Sequence, residues 1–408
     1  MALNRLKKSY EVFSNTYLYE LKLLLKDSGV LFILFGASIF YSLIYTYSYS
    51  REVVNDISVA VVDLNGTKSS RDVVRMLDAT PQMNITYHTQ NFKEAKALFY
   101  DDKVHGVIVI PEDFERKIYR GEQAAITAYA DATFFMVYKQ ILSGAAQVSG
   151  TMSAKIEIGR LMQKGNDKYK AVAQSQPVSV TTSYLYNPAS GYASYAMPGV
   201  ILMILQQTLL LGIGMLGGTL REKKRKYFYV DGDVDPRHAI SALLGKAFAF
   251  ITLHLFNIFF MLVIVYKLFD LPQKGNPLEV FIFLMPYLFA VIFLGIAIAT
   301  LFKKRENSLI FMFFTSIPFI FLSGFSWPAN EMPLLLQKLS LLIPSTMAIQ
   351  GYLRLNTMGA SLAQVSSELA FLAMLMVVYF VVALLITKYR IHQNNREMQE
   401  PSDEALEP

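Results

Sequence analysis

Apolar residues in this chain gather into six long runs instead of recurring at the intervals of a soluble core. The runs at 29–48, 193–217, 240–267, 278–302, 308–325 and 366–388 each have about 18 or more residues, the range of lengths that span a hydrocarbon core of roughly 30 Å. They predict a membrane protein, mainly α-helical, with six transmembrane helices. Ahead of them, residues 1–28 carry Leu6, Tyr10, Phe13, Tyr17, Leu21 and Leu24 at helical spacing among Lys and Glu, the pattern of an amphipathic helix lying in the membrane interface. A helix packed on another cytoplasmic element is the alternative. The long basic segment before the first run, with no small-residue cleavage pattern after it, makes that run an anchor and not a signal peptide.

The stretch 49–192 is long enough for a folded domain. Its β-branched runs "ISVAVVDLN" and "VHGVIVIP", with "QAAITAYAD", read as strands, and "SSRDVVRMLD" and "FKEAKALFYDD" between them as helices. Alternation of this kind predicts an inserted α/β domain. A long helix then leads back toward the membrane. Asp63, Asp72 and Asp78 have no partner at a spacing suited to acid–base work, so turn and capping roles are expected of them.

Composition agrees with the pattern: of 408 residues, 53% are hydrophobic and 17% charged. The position of the charges adds orientation. Lys7, Lys8, Lys22, Lys26, the run Arg221 to Lys226, Lys303, Lys304, Arg305, Lys388 and Arg390 all fall on one side of a six-span layout, and only Lys267, Lys274, Lys338 and Arg354 on the other. Positive charge stays inside, so both termini, the loop 218–239 and the tail 389–408 are expected in the cytoplasm, with 49–192 and 326–365 outside. The net charge of +6 is then a topology signal with anionic-lipid contact, and nucleic acid is not an expected partner. With no cysteine, disulfides and thiolate metal sites are excluded.

Candidate chemistry is sparse. Gly212, Gly214 and Gly217 match a dinucleotide fingerprint by letter, but they sit inside an apolar helix, where small residues serve close helix packing. "LLGKAF" lacks the earlier Gly and the following Ser or Thr of a phosphate loop, so the chain is not expected to hydrolyse nucleotide. The five histidines show no paired ligand spacing and no metal site is expected; His254 within span three reads as a neutral hydrogen-bonding group, with a proton relay as the sharper alternative. Gln206 and Gln207 in span two suit hydrogen bonding between helices or the lining of a path.

After span five, "SGFSWPANEMP" breaks the helical pattern. Trp327 suits an interfacial anchor, and Pro328 and Pro333 suggest short broken helices dipping into the outer leaflet. Glu331 is placed to cap the next helical piece, beginning at 332–335, or alternatively to meet departing substrate.

Together with "VAVVDLNGTKSSRDVVRMLDAT", "YNPASGYASYAMPGVILMIL" and "SGFSWPANEMPLLLQKLSLLIPSTMAIQGYLRL", this layout resembles the permease subunit of ABC-2 type transporters, a type V exporter-like fold. The resemblance implies a dimer whose halves enclose the substrate path and a separate ATPase subunit that binds ATP and Mg, this chain holding no cofactor itself. It also implies docking of that ATPase through Tyr17, Lys22, Lys26, Arg221, Glu222, Lys223, Gly245 and Lys246. Here "KKRKYFYVDGDVDPRHAIS" is more charged and aromatic than the family pattern. An amphipathic or hydrophobic substrate would pass Gln206, Gln207, Phe311, Phe314 and Ser316, leaving by an outer gate at Trp327, Pro328, Glu331, Pro333 and Pro344. A periplasmic adaptor and an outer-membrane channel are further expected partners. The rival reading is a membrane-anchored receptor or scaffold whose outer domain binds a partner. A proton-driven carrier is disfavoured, because the spans are almost free of Asp and Glu and the two halves do not look alike.

Overall fold

Amphipathic and apolar segments both fold as helices in the computed structural model, which describes residues 2–178, 183–223 and 236–399. The chain divides into two units, Met1–Ser50 with Leu185–Pro408, and Arg51–Tyr184. Helix α1, Ala2–Lys26, buries Val12, Thr16, Glu20 and Leu24, and Phe13, Tyr17 and Leu21 of the expected apolar face are half-buried beside this stripe. Leu6 and Tyr10 of that expected face stay exposed. Asp27 ends α1 and caps α2, Ser28–Ser48, by accepting from the N–H groups of Gly29 and Val30 at 3.1 and 3.1 Å. Within α2 the turn Phe32–Ala37 is widened to a π-helix.

The unit Arg51–Tyr184 is built on a sheet. Its elements are β1 (Ile57–Asp63), α3 (Lys68–Asp78), β2 (Met83–Thr89), α4 (Phe92–Tyr100), β3 (Gly106–Ile110), α5 (Phe114–Arg120), β4 (Thr127–Ala130), α6 (Phe135–Gln163) and α7 (Lys168–Ser175). Strand order is β2-β1-β3-β4, with β1 parallel to both neighbours and β4 antiparallel. Alternate residues of β1 feed two faces: Val59 and Val61 pack with α3 and α6 residues, Ala60 and Val62 with Ala95 of α4. The expected strands and helices are present. Strand β2 and helix α5 were not expected, and the unit is shorter than 49–192. Asp63 accepts from the Asn65 and Gly66 N–H groups and the Ser70 hydroxyl, the turn work read from the sequence; Asp78 instead accepts from Ile85 N–H of β2, and Asp72 pairs with Arg75 and Lys155.

The rest of the first unit comprises α8 (Tyr192–Glu222), α9 (Pro236–Leu268), α10 (Pro277–Ala299), α11 (Arg305–Leu322), α12 (Leu334–Ser340), α13 (Pro344–Tyr352) and α14 (Ser366–Gln399). Among the described residues six helices are long and apolar enough to cross a membrane: α2, α8, α9, α10, α11 and Leu362–His392. Helix α8 is central, packing on α2, α10, α11 and α13 and buried over most of its apolar length, as a helix apolar all round should be. It runs on to Glu222, so Arg221 and Glu222 are helical and not part of a loop. Residues 224–235, which hold most of the expected coupling loop, and 400–408 of the tail lie outside the described residues.

Candidate coupling site and substrate path

Helix α1 packs along the first half of α9, with contacts in the same order on both: Ser9 Oγ lies 3.1 Å from His238 Nδ1, the Phe13 ring edge-on to Phe248 at 5.8 Å, and Tyr17 Oη 3.2 Å from Thr252 Oγ1. A Cβ at Gly245 would come within 2.6 Å of the Phe13 carbonyl oxygen, so only glycine admits this approach. Beneath it Lys246 Nζ meets Glu20 Oε1 at 2.9 Å, both side chains 2% exposed. Burial pushes the Glu20 carboxyl up, against the pull of the Lys246 ammonium. Gly245 and Lys246 are thus internal to the α1–α9 contact, which corrects their assignment to a docking surface. Lys22 and Lys26 remain exposed on α1.

A second cluster joins the α1–α2 junction to the ends of α8 and α11. The Arg305 guanidinium grips both Asp27 oxygens, at 2.7 and 3.0 Å, and the Thr219 hydroxyl at 2.8 Å, and the Arg305 N–H donates to Glu222 Oε1 at 2.9 Å. Burial pushes the Asp27 carboxyl up, but hydrogen bonds from Arg305 and the Val30 N–H outweigh it and hold the group below its ordinary value. Arg221 donates to the Phe302 carbonyl. Gly218 lies against the Arg305 backbone, where a Cβ would collide. Lys223 is exposed at the α8 C-terminus. Sequence reasoning named Glu222 and Arg221 here, but Glu20, Asp27, Thr219 and Arg305 were missed as site residues. The one available signal was Asp27-Ser28-Gly29, an N-cap pattern directly before an apolar run.

Inside the bundle, Gln206 is fully buried and its Oε1 accepts from Ser345 N–H at 3.1 Å. It therefore caps α13, whose first residue is the buried Pro344, and does not line an open path. Gln207 is half-buried on α8. His254 Nε2 lies 3.5 Å from Thr208 Oγ1 of α8. Asn257 donates to the Leu34 carbonyl at 2.7 Å, an acceptor within the widened turn of α2. The dinucleotide-like glycines are helical, and Gly212 and Gly214 pack against Leu34 and Met312.

Helix α11 contributes Phe311 and Phe314, both exposed, while the Ser316 hydroxyl donates to the Phe313 carbonyl at 2.6 Å. Beyond it Phe325 stacks on Tyr195 at 5.3 Å, and the Tyr195 hydroxyl donates to the Phe325 carbonyl at 3.0 Å. Trp327, Pro328, Glu331 and Pro333 are exposed. The expected cap by Glu331 does not form: Pro333 is the N-cap of α12 with no side-chain bond, and Glu331 accepts from Asn330 Nδ2 at 3.0 Å. Gln337 instead closes this turn, donating to the Met332 carbonyl at 2.8 Å. Exposed Leu334, Leu335, Leu339 and Leu342 surround it.

The sequence, compared with known proteins, places these helices in a family. The profile of the family described as "ABC-2 family transporter protein" matches residues 28–385. The chain is 24% identical over 368 residues to the "Linearmycin resistance permease protein LnrN" of Bacillus subtilis (strain 168), covering 85% of this chain and 91% of that protein. It is 22% identical over 331 residues to the "Probable multidrug ABC transporter permease YbhR" of Escherichia coli (strain K12), covering 80% and 84%. The chain belongs to the ABC-2 transporter family and is a multi-pass membrane permease.

Proposed function

We propose that the chain is the membrane-spanning subunit of an exporter in a bacterial cytoplasmic membrane, moving an amphipathic or hydrophobic substrate outward. A separate subunit binds and hydrolyses ATP, since this chain has no phosphate loop. Both termini are cytoplasmic and the sheet unit is extracytoplasmic, following the Lys and Arg distribution. On this reading exposed Lys22, Lys26 and Lys223 belong to the surface that meets the ATPase, and the α1–α9 contact and the Asp27–Arg305 cluster lie behind it. The names of the relatives, resistance and multidrug permeases, favour a substrate of this class.

The observation that carries the reading is the uncovered face of α11. Ile310, Phe314, Ile317 and Phe321 recur at i, i+4, i+7 and i+11, and all are exposed, although α11 is the least apolar of the six membrane-length helices. A second copy of the chain covers this face and leaves an aromatic-lined path between the halves. The exposed leucines of α12, with Trp327, sit in the outer leaflet as a gate. The test is transport of a fluorescent amphiphile into inside-out proteoliposomes containing the chain with its ATPase, or with the chain alone. ATP-dependent uptake only with both subunits supports the reading; equal uptake, or none with both present, overturns it.

A further inference from the structure

The Glu20–Lys246 pair is the one ion pair among the described residues with both side chains almost wholly buried. Exposed ion pairs such as Lys103–Asp101 are worth little, and a buried one costs desolvation that an apolar contact would avoid. What it supplies instead is register. Two apolar helix faces can slide by a fraction of a turn, but sliding here would leave an uncompensated charge in a dry interface.

The surroundings are arranged for the same end. Gly245 lets the α1 backbone touch α9, and ring and hydroxyl contacts at Phe13–Phe248 and Tyr17–Thr252 flank the pair. At the other end of α1 continuity is broken: Asp27 leaves helical geometry at φ −90°, ψ 99°. The N–H groups of Gly29 and Val30 turn to its side chain, which Arg305 of α11 holds. Helix α1 is therefore locked to α9 more firmly than to α2, its neighbour in sequence.

We infer that Glu20 and Lys246 are positioning residues that pin α1 to α9 as one rigid body, so that a stroke received by α1 enters the bundle through the third span and not through the first. The inference rests on the proposed function, in which Lys22 and Lys26 put α1 at the surface that meets the ATPase. Neither residue need touch ATPase or substrate.

The chain contains no cysteine, so spin labels can be attached cleanly at Leu18→Cys on α1 and Leu255→Cys on α9, both exposed in the monomer. In nanodiscs, without any partner, the pin gives a narrow label-to-label distance distribution. Glu20→Leu with Lys246→Met broadens it, and the swap Glu20→Lys with Lys246→Glu narrows it again. An unchanged distribution in the apolar pair overturns the inference, whatever the chain transports. In the full complex the apolar pair keeps assembly and ATP hydrolysis, while substrate moved per ATP falls about fivefold or more, the lower end of ordinary coupling between sites, and the swap restores it. Wild-type stoichiometry in the apolar pair overturns the pin. Absence of ATP-driven transport in the unmodified complex counts instead against the proposed function.

Discussion

Helices α11 and α14 both have few wholly buried residues along their apolar stretches, 11% in the first and 17% in the second, yet they are made differently. The open face of α14 is aliphatic, with Met374, Val377, Val381 and Leu385, on a membrane-length segment of 31 residues. That of α11 is half aromatic, on a helix of 18 residues, which spans about 27 Å and barely crosses the hydrocarbon. Its hydroxyl groups Thr315 and Ser316 are turned back on its own carbonyls. Lipid asks only for apolar bulk, and α14 supplies it. Aromatic faces are characteristic of protein interfaces and ligand pockets. Under the proposed function, two open faces of such different make imply different surroundings, a second copy for α11 and lipid for α14.

Charge substitution separates the two faces most strongly. Val381→Arg places a cation on a lipid-facing helix centre and should cost about 2.5–3.5 kcal/mol of insertion, seen as lost membrane yield. Phe314→Ser should leave yield near wild type and lower transport and dimer content; the opposite ranking would reverse the assignment of the faces. Next in size is the anchoring of α11. Arg305→Ala removes charge-assisted bonds to Asp27 and Thr219 and should destabilise the chain by about 2–3 kcal/mol, measured as a fall in Tm. Arg390→Ala, on α14, removes a bond to the Thr300 carbonyl and should cost less.

Smaller is the cap that links α8 to α13. Gln206→Leu leaves the Ser345 N–H without its acceptor and should cost about 1 kcal/mol, without altering substrate preference if Gln206 lies off the path. The smallest effect concerns pH. Because the folded-state Asp27 carboxyl lies below its ordinary value, its contribution is complete above that value and is lost only as pH falls through the folded one. The Tm difference between wild type and Asp27→Asn should therefore be flat from about pH 8 to 5 and shrink below about 4; a change between pH 7 and 6 would contradict it.

Much of this architecture was legible in the chain. The six apolar runs became six membrane-length helices because hydrocarbon thickness leaves little choice of length. The strands of "ISVAVVDLN" and "VHGVIVIP" were visible because they are buried on both faces. Strand β2 escaped because "MNITYHT" buries little beyond Met83 and Ile85 and carries polar residues on a sheet edge. The coupling site was only half visible. Glu222 and Lys246 could be named, but their partners Arg305 and Glu20 lie far away in the chain, and no local pattern shows which distant charge a buried lysine will meet. Gly245 was read as part of a docking surface for the same reason: its missing side chain makes sense only once α1 lies against it. Glu331 was read as a cap from its spacing alone, whereas Pro333 took the cap position and Gln337 the polar work.

The most direct test of the central claim is cysteine cross-linking between copies of the chain, made clean by the lack of native cysteine. Single cysteines at Ile310, Phe314, Ile317 and Phe321 on α11 and at Met374, Val377 and Val381 on α14 would be oxidised in membranes holding the complete transporter. Disulfide-linked dimers should form through one or more α11 positions and through none on α14. Dimers through α14, with α11 unreactive, would contradict the claim.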